Sequence, residues 1–190
     1  MDHASRTKHS FRGVKRGMVL AMKSAQTPSA AVDTAKVAER RILRFESIDE
    51  VLAEVNRLGE AERAGRLKHV GNWTLGQTLG HLAAWVEYAY TGAPLKVPIL
   101  IRWILRLRKQ KFLYGPMRAG AKIPGVEGGT LATEPVPLEE SLPRYRSALQ
   151  RLKKETPKAP NVIFGTLTHE EWIALNLRHA ELHLGFLIPE

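Results

Sequence analysis

Apolar residues recur at intervals of three and four along four stretches of this chain, and most stretches carry their own start signal. Ser47 and Glu50 form an S-x-x-E capping box, and Ile48, Val51, Leu52, Val55 and Leu58 follow on one helical face. Gly65 is the expected stop. Thr74 and Gln77 repeat the signature ahead of Leu75, Leu79, Leu82, Val86 and Ala89, and Thr91-Gly92-Ala93-Pro94 closes that helix. A third helix is predicted over Leu138 to Glu155, with Leu142, Tyr145, Leu149 and Leu152 inward and Pro143 near the start, where a missing N–H costs least. The fourth opens with Thr168 and Glu171, a third capping box, and is predicted to run to about Leu187.

The connection between the second and third helices is less regular. Ile99 to Phe112 reads as a short helix, with Leu100, Trp103, Ile104 and Leu107 on one side and Arg102, Arg106 and Lys109 on another. Gly115 to Pro137 is rich in Gly and Pro and reads as a long loop, a kind of segment that often serves function. No stretch shows the alternation of a strand, and no internal repeat is present. The pattern therefore predicts an all-α fold: an antiparallel four-helix bundle with a long basic connection between helices 2 and 3.

Composition changes this picture in three ways. At 190 residues, with 44% hydrophobic and 25% charged positions, the chain has room for one ordinary domain with a real core. The absence of cysteine excludes disulfides, thiolate-held metals and thiol nucleophiles, and it is compatible with the reducing cytoplasm in which we expect the protein. The net charge of +10 is uneven: residues 1–44 hold ten Lys/Arg against three Asp/Glu. Residues 1–40 are thus expected to be a basic, flexible extension, and residues 41–190 the helical domain. Within that domain, Lys96 to Lys122 holds eight basic residues and no acidic one. No charge-free apolar run reaches the 18 residues of a membrane span.

The last helix carries the chemistry. Trp172, Leu175, Asn176, His179, Leu182, His183 and Phe186 share one side, so two imidazoles lie one turn apart in the stripe that should be buried. A buried imidazole lacking partners for its ring nitrogens costs roughly 1–3 kcal/mol, and H-x-x-x-H on a helix lets both rings reach one metal ion. His81, on the flank of the second helix, completes a three-histidine set if those helices are neighbours. Three neutral imidazoles leave the ion's charge uncompensated and a coordination position open, the pattern of a reactive site. Gln77, Tyr88 and Asn176 are the side chains placed to support the ligands. Other metal motifs fail: Ala180 follows His179 where a zincin needs Glu, and Thr78, Asn176 and Ala180 stand where a di-iron bundle needs Glu. His3, His9, His69 and His169 read as ordinary tail, loop or helix-start residues. Trp85, Trp103 and Trp172 read as core, and Trp73 as a staple for its helix.

Asn72-Trp73-Thr74-Leu75-Gly76-Gln77-Thr78-Leu79-Gly80-His81-Leu82 resembles the segment that opens the second helix of DinB/YfiT-like proteins. Leu177-Arg178-His179-Ala180-Glu181-Leu182-His183-Leu184 is similar to their final-helix H-x-x-x-H. The Arg41 to Leu58 opening and the lead-in from Phe164 to Trp172 look like one uncharacterised branch of that superfamily. The likeness covers roughly residues 41–190 and implies a four-helix bundle holding a divalent metal on His81, His179 and His183. Relatives use the metal to activate water or a low-molecular-weight thiol, and dimerisation is common among them. The long basic connection departs from the simplest members.

Three functional expectations follow. The first is a metal-dependent enzyme of hydrolase or thiol-transferase type, with zinc or nickel as the ion, acting on a small molecule. Lys96, Arg102, Arg106 or Arg118 would attract an anionic substrate, unless they are simply a solvated face. The second is a non-catalytic helical protein that contacts anionic partners, such as nucleic acid or a membrane surface, through the basic arm and the 96–122 segment. The third is a bundle that keeps its histidines for packing alone.

Overall fold

The three predicted capping signals all mark helix starts, but only one closes as a full box. The structure, a computed structural model, describes residues 31–123 and 126–190. Helix α1 spans Ile48–Arg63, and Ser47 accepts from the Glu50 N–H at 3.2 Å. The Glu50 carboxylate instead takes the Glu46 N–H at 2.9 Å. Helix α2 spans Leu75–Thr91, capped by Thr74 at the Gln77 N–H. The Gln77 side chain turns away to the Thr133 carbonyl, leaving that box half made.

Ile99–Leu107 and Lys109–Tyr114 form two helices, α3 and α4, where one was expected, with a break at Arg108. Helix α5 spans Leu138–Lys154 and contains Pro143 in its second turn. Helix α6 spans His169–Leu184, and here Thr168 and Glu171 complete both arms of the capping box. The fold is mostly helical, and among the described residues no helix is long and apolar enough to cross a membrane.

Two expectations are corrected at the chain end. The last helix stops at Leu184, short of Leu187, and a two-stranded antiparallel sheet follows. Strand β1, Leu67–His69, pairs with β2, Leu187–Pro189, in the register Lys68↔Ile188. Three-residue strands are too short to show alternation, so the sequence pattern could not announce them. Gly185 allows the exit from α6: a Cβ there would lie 2.7 Å from the Arg41 carbonyl.

The core lies between α1, α2, α5 and α6. Leu75, Leu79 and Leu82 of α2 meet Tyr145, Leu149 and Leu152 of α5, all at most 1% exposed. Each such leucine contributes about 1.5–3 kcal/mol by leaving water. Helix α6 is locked to the segment ahead of α1 by a buried polar clamp. Arg178 pairs with Glu181 at 2.6 Å, Glu181 accepts the Phe45 N–H at 2.6 Å, and Arg178 donates to the Phe45 carbonyl. Arg41 adds a donation to the Leu184 carbonyl at 3.1 Å.

Residues 1–30 of the expected basic extension lie outside the described residues. Its remaining part is held locally: Val32 and Asn72 exchange two hydrogen bonds of 2.7 and 2.8 Å, and Thr34–Lys36 forms a single 3-10 turn. Trp172 is in the core as expected, at 4% exposure, but Trp103 is not, at 65%. The reason is that α3 turns the larger of its two apolar faces outward.

Candidate metal centre

Gly76 and Gly80 prepare the setting of His81. They sit one turn apart on α2 and make a bare edge along which the 131–137 segment lies. A Cβ on Gly76 would come within 2.2 Å of the Val136 carbonyl, so the approach tolerates no side chain there. The same segment accepts from Gln77 at the Thr133 carbonyl and meets His81 Nδ1 at the Leu131 carbonyl, 2.9 Å away. A carbonyl can only accept, so Nδ1 of His81 carries the proton and Nε2 keeps its lone pair. That lone pair faces the other imidazoles. Ala132, next to the orienting carbonyl, is held at φ 55°, the left-handed region that a non-glycine residue occupies only at a cost.

His179 and His183 come from successive turns of α6, as their spacing requires. The ring centroids of His81, His179 and His183 are 4.6–5.0 Å apart, and one nitrogen from each lies within 4.8 Å of the others. His81 Nε2 and His179 Nε2 are 3.2 Å apart. Two imidazoles on one tetrahedral ion at about 2.0–2.1 Å would hold their nitrogens about 3.3–3.4 Å apart, so this pair is close to ligand spacing. Aromatic rings fix the outer sides. Trp73 stacks on His183 at 5.2 Å and 10°, and Trp85 meets His179 edge-on at 5.7 Å.

The electrostatics keep the cluster uncharged. Burial pushes His81 down to about 4, against the opposing pull of the Leu131 and Ala132 carbonyls. Burial also holds His179 well below its usual range, helped by the nearby His81. For His183 burial again leads, followed by His179, His81 and Arg40. All three are therefore neutral imidazoles at pH 7, the form that binds metal.

A cavity of about 600 Å³ opens onto His179 and His183. Trp85, Phe112, Ile163, Trp172 and Leu182 are among its mainly apolar walls, and Arg118 and Lys122 are its basic residues. Asp33 is the only carboxylate on its lining among the described residues. Glu181, the carboxylate within the H-x-x-x-H turn, is spent in the clamp to Phe45 and Arg178.

The supporting side chains are placed as follows. Gln77 holds the Thr133 carbonyl, and thereby the loop that orients His81. Asn176 lines the cavity and donates to the Trp172 carbonyl at 2.9 Å. Tyr88 lies edge-on to Trp85 at 5.9 Å and lines a separate, smaller cavity of about 350 Å³. His69 bridges Glu62 and the Trp73 carbonyl, and His169 meets the Leu152 carbonyl, so both are structural. The Leu131 carbonyl, the glycine edge of α2 and the stacking role of Trp73 were not read from the sequence. The four-residue spacing of Gly76 and Gly80 was the available signal for the close approach.

Helices and imidazoles together define a mostly helical protein with a three-histidine cluster able to hold a metal ion. The chain belongs to the family described as Protein of unknown function (DUF1569), whose model matches residues 37–190. No curated protein and no solved structure matches it.

Proposed function

We propose that this protein is a divalent-metal-dependent enzyme of the DinB/YfiT-like kind, a four-helix bundle of α1, α2, α5 and α6 with its site between α2 and α6. His81, His179 and His183 are the ligands. Zinc or nickel suits three neutral imidazoles, and no carboxylate belongs to the set. When bound, such an ion lowers the pKa of a water or holds a thiolate, the chemistry of a hydrolase or a thiol transferase.

The chain's own residues supply the rest. The Leu131 carbonyl keeps the His81 tautomer, and Trp73 and Trp85 hold the α6 rings against rotation. The apolar walls take the body of a small organic substrate and exclude water around the reacting centre. Arg118 and Lys122 favour a substrate or thiol that carries negative charge.

The observation that carries this reading is the meeting of three uncharged imidazoles from two helices, α2 and α6, with His179 and His183 on the wall of a substrate-sized cavity. Metal analysis of untagged protein tests it. We expect about one ion per chain, lost in His179→Ala, and zinc- or nickel-dependent turnover of activated esters or of thiol-acceptor pairs. Substoichiometric metal that His179→Ala leaves unchanged would remove the assignment.

A further inference from the structure

We propose that α3 is a docking helix for an anionic lipid surface. A helix lying on a protein body normally turns its apolar side inward. Here Ile101 and Leu105 are half-buried, but a second and larger apolar face is turned outward. Ile99, Leu100, Trp103, Ile104 and Leu107 are 53–85% exposed, and no residue of α3 is buried. Their spacing puts all five on one arc of the helix, given about 100° per residue. Arg106, on the edge of that arc, reaches back and donates to the Ile163 carbonyl at 3.3 Å, and Arg102 is half-buried.

The face is not free to roll inward. Helix α4 follows at once and is pinned to the body. Leu113 is fully buried, Phe112 packs on Phe164 at 5.7 Å, and Lys109 pairs with Glu171 at 2.7 Å. Together with Arg106 these contacts present the larger apolar face of α3 outward.

Charge selects the partner. The stretch from Lys96 to Lys122 carries eight cations and no anion; Lys109 is paired with Glu171 and Arg118 and Lys122 line the cavity, while Lys96, Arg108 and Lys111 are exposed in the segments flanking α3. A second copy would set that charge against its own kind. A nucleic acid would satisfy the cations and leave five exposed apolar side chains without a partner. An anionic bilayer meets both needs: the acyl boundary takes Ile, Leu and Trp, and the headgroups take the guanidinium and ammonium groups. Tryptophan is at home at that boundary. Nine residues are far too few to span, so α3 lies in the plane of the interface.

The full chain, mixed with vesicles of phosphatidylcholine containing about 30% phosphatidylserine, should float with the vesicles. It should do so much less with phosphatidylcholine alone, and less as salt is raised. Trp103→Glu combined with Leu107→Glu should weaken this binding by about tenfold or more while leaving the melting curve unchanged, since both side chains are exposed. Quenching of tryptophan emission by brominated lipid should fall in Trp103→Phe, a variant that keeps the apolar face. The proposal is overturned if the double glutamate variant binds vesicles as the wild type does. It is also overturned if the wild type sediments as a dimer that ignores vesicles and the double variant is a monomer, which assigns the face to a second copy.

Discussion

A single carbonyl decides what His81 can do. The Leu131 carbonyl accepts a hydrogen bond from Nδ1–H, and burial then makes a second proton on the ring expensive, so its pKa falls from 6.5 to about 4. The consequence for stability has a definite sign. Between these values the unfolded chain binds the proton and the folded chain does not, so without metal stability is full above pH 6.5 and declines toward pH 4. His81 alone accounts for about 3 kcal/mol over that window. His179 and His183, also held low by burial, act in the same direction. Urea midpoints measured from pH 7 to pH 4 on metal-free protein should fall steadily, and His81→Asn should flatten part of the slope. A level wild-type profile would mean that the imidazoles stay wet in the folded state.

The element that positions the site is the bare edge of α2, more than any of the three histidines. Gly76 faces backbone, with the Val136 carbonyl 2.2 Å from where a Cβ would stand, whereas Gly80 faces the Val136 side chain at 3.1 Å. A backbone carbonyl can give way only if its whole segment shifts, whereas a valine side chain can adjust by itself. Gly76→Ala should therefore cost about 1–3 kcal/mol and weaken metal binding by pushing the 131–137 segment off Gln77 and His81. Gly80→Ala should cost less and leave the metal affinity near wild type. Denaturant titration and metal titration of the two variants check the contrast, and equal losses would refute it. The same edge explains what could be read from the sequence. Capping residues and three-four periodicity are local, so helix starts at Ile48, Leu75 and His169 and the pairing of His179 with His183 were legible. The placement of the 131–137 segment, the split at Arg108 and the three-residue strands depend on contacts between distant residues, and no local pattern encodes them. The outward face of α3 looked like core because periodicity reports that a helix has an apolar side, not where that side points.

At the scale of the molecule, the cluster joins residues 98 apart in the chain, His81 and His179. The surrounding structure makes their separation a global event. Arg41, Phe45, Arg178 and Glu181 tie the entry of α1 to α6, and β2 ties the chain end to β1, which leads into α2. Helix α6 therefore cannot leave α2 without dismantling the core on both sides. An ion held by all three histidines binds only the folded chain, and its binding energy is added to the stability of the whole. At a free concentration 100 times its dissociation constant the gain is about 2.7 kcal/mol. For a chain of this size each kcal/mol raises the melting midpoint by about 2–4 °C, so zinc or nickel should shift it upward by about 5–11 °C. A chelator shown to strip the metal should return it. The shift should vanish in His81→Ala, His179→Ala and His183→Ala alike, because two imidazoles hold an ion far more weakly than three. Identical wild-type melts with and without metal would instead make the three rings packing residues, and the neutral, tautomer-fixed geometry of His81 would then serve the core alone.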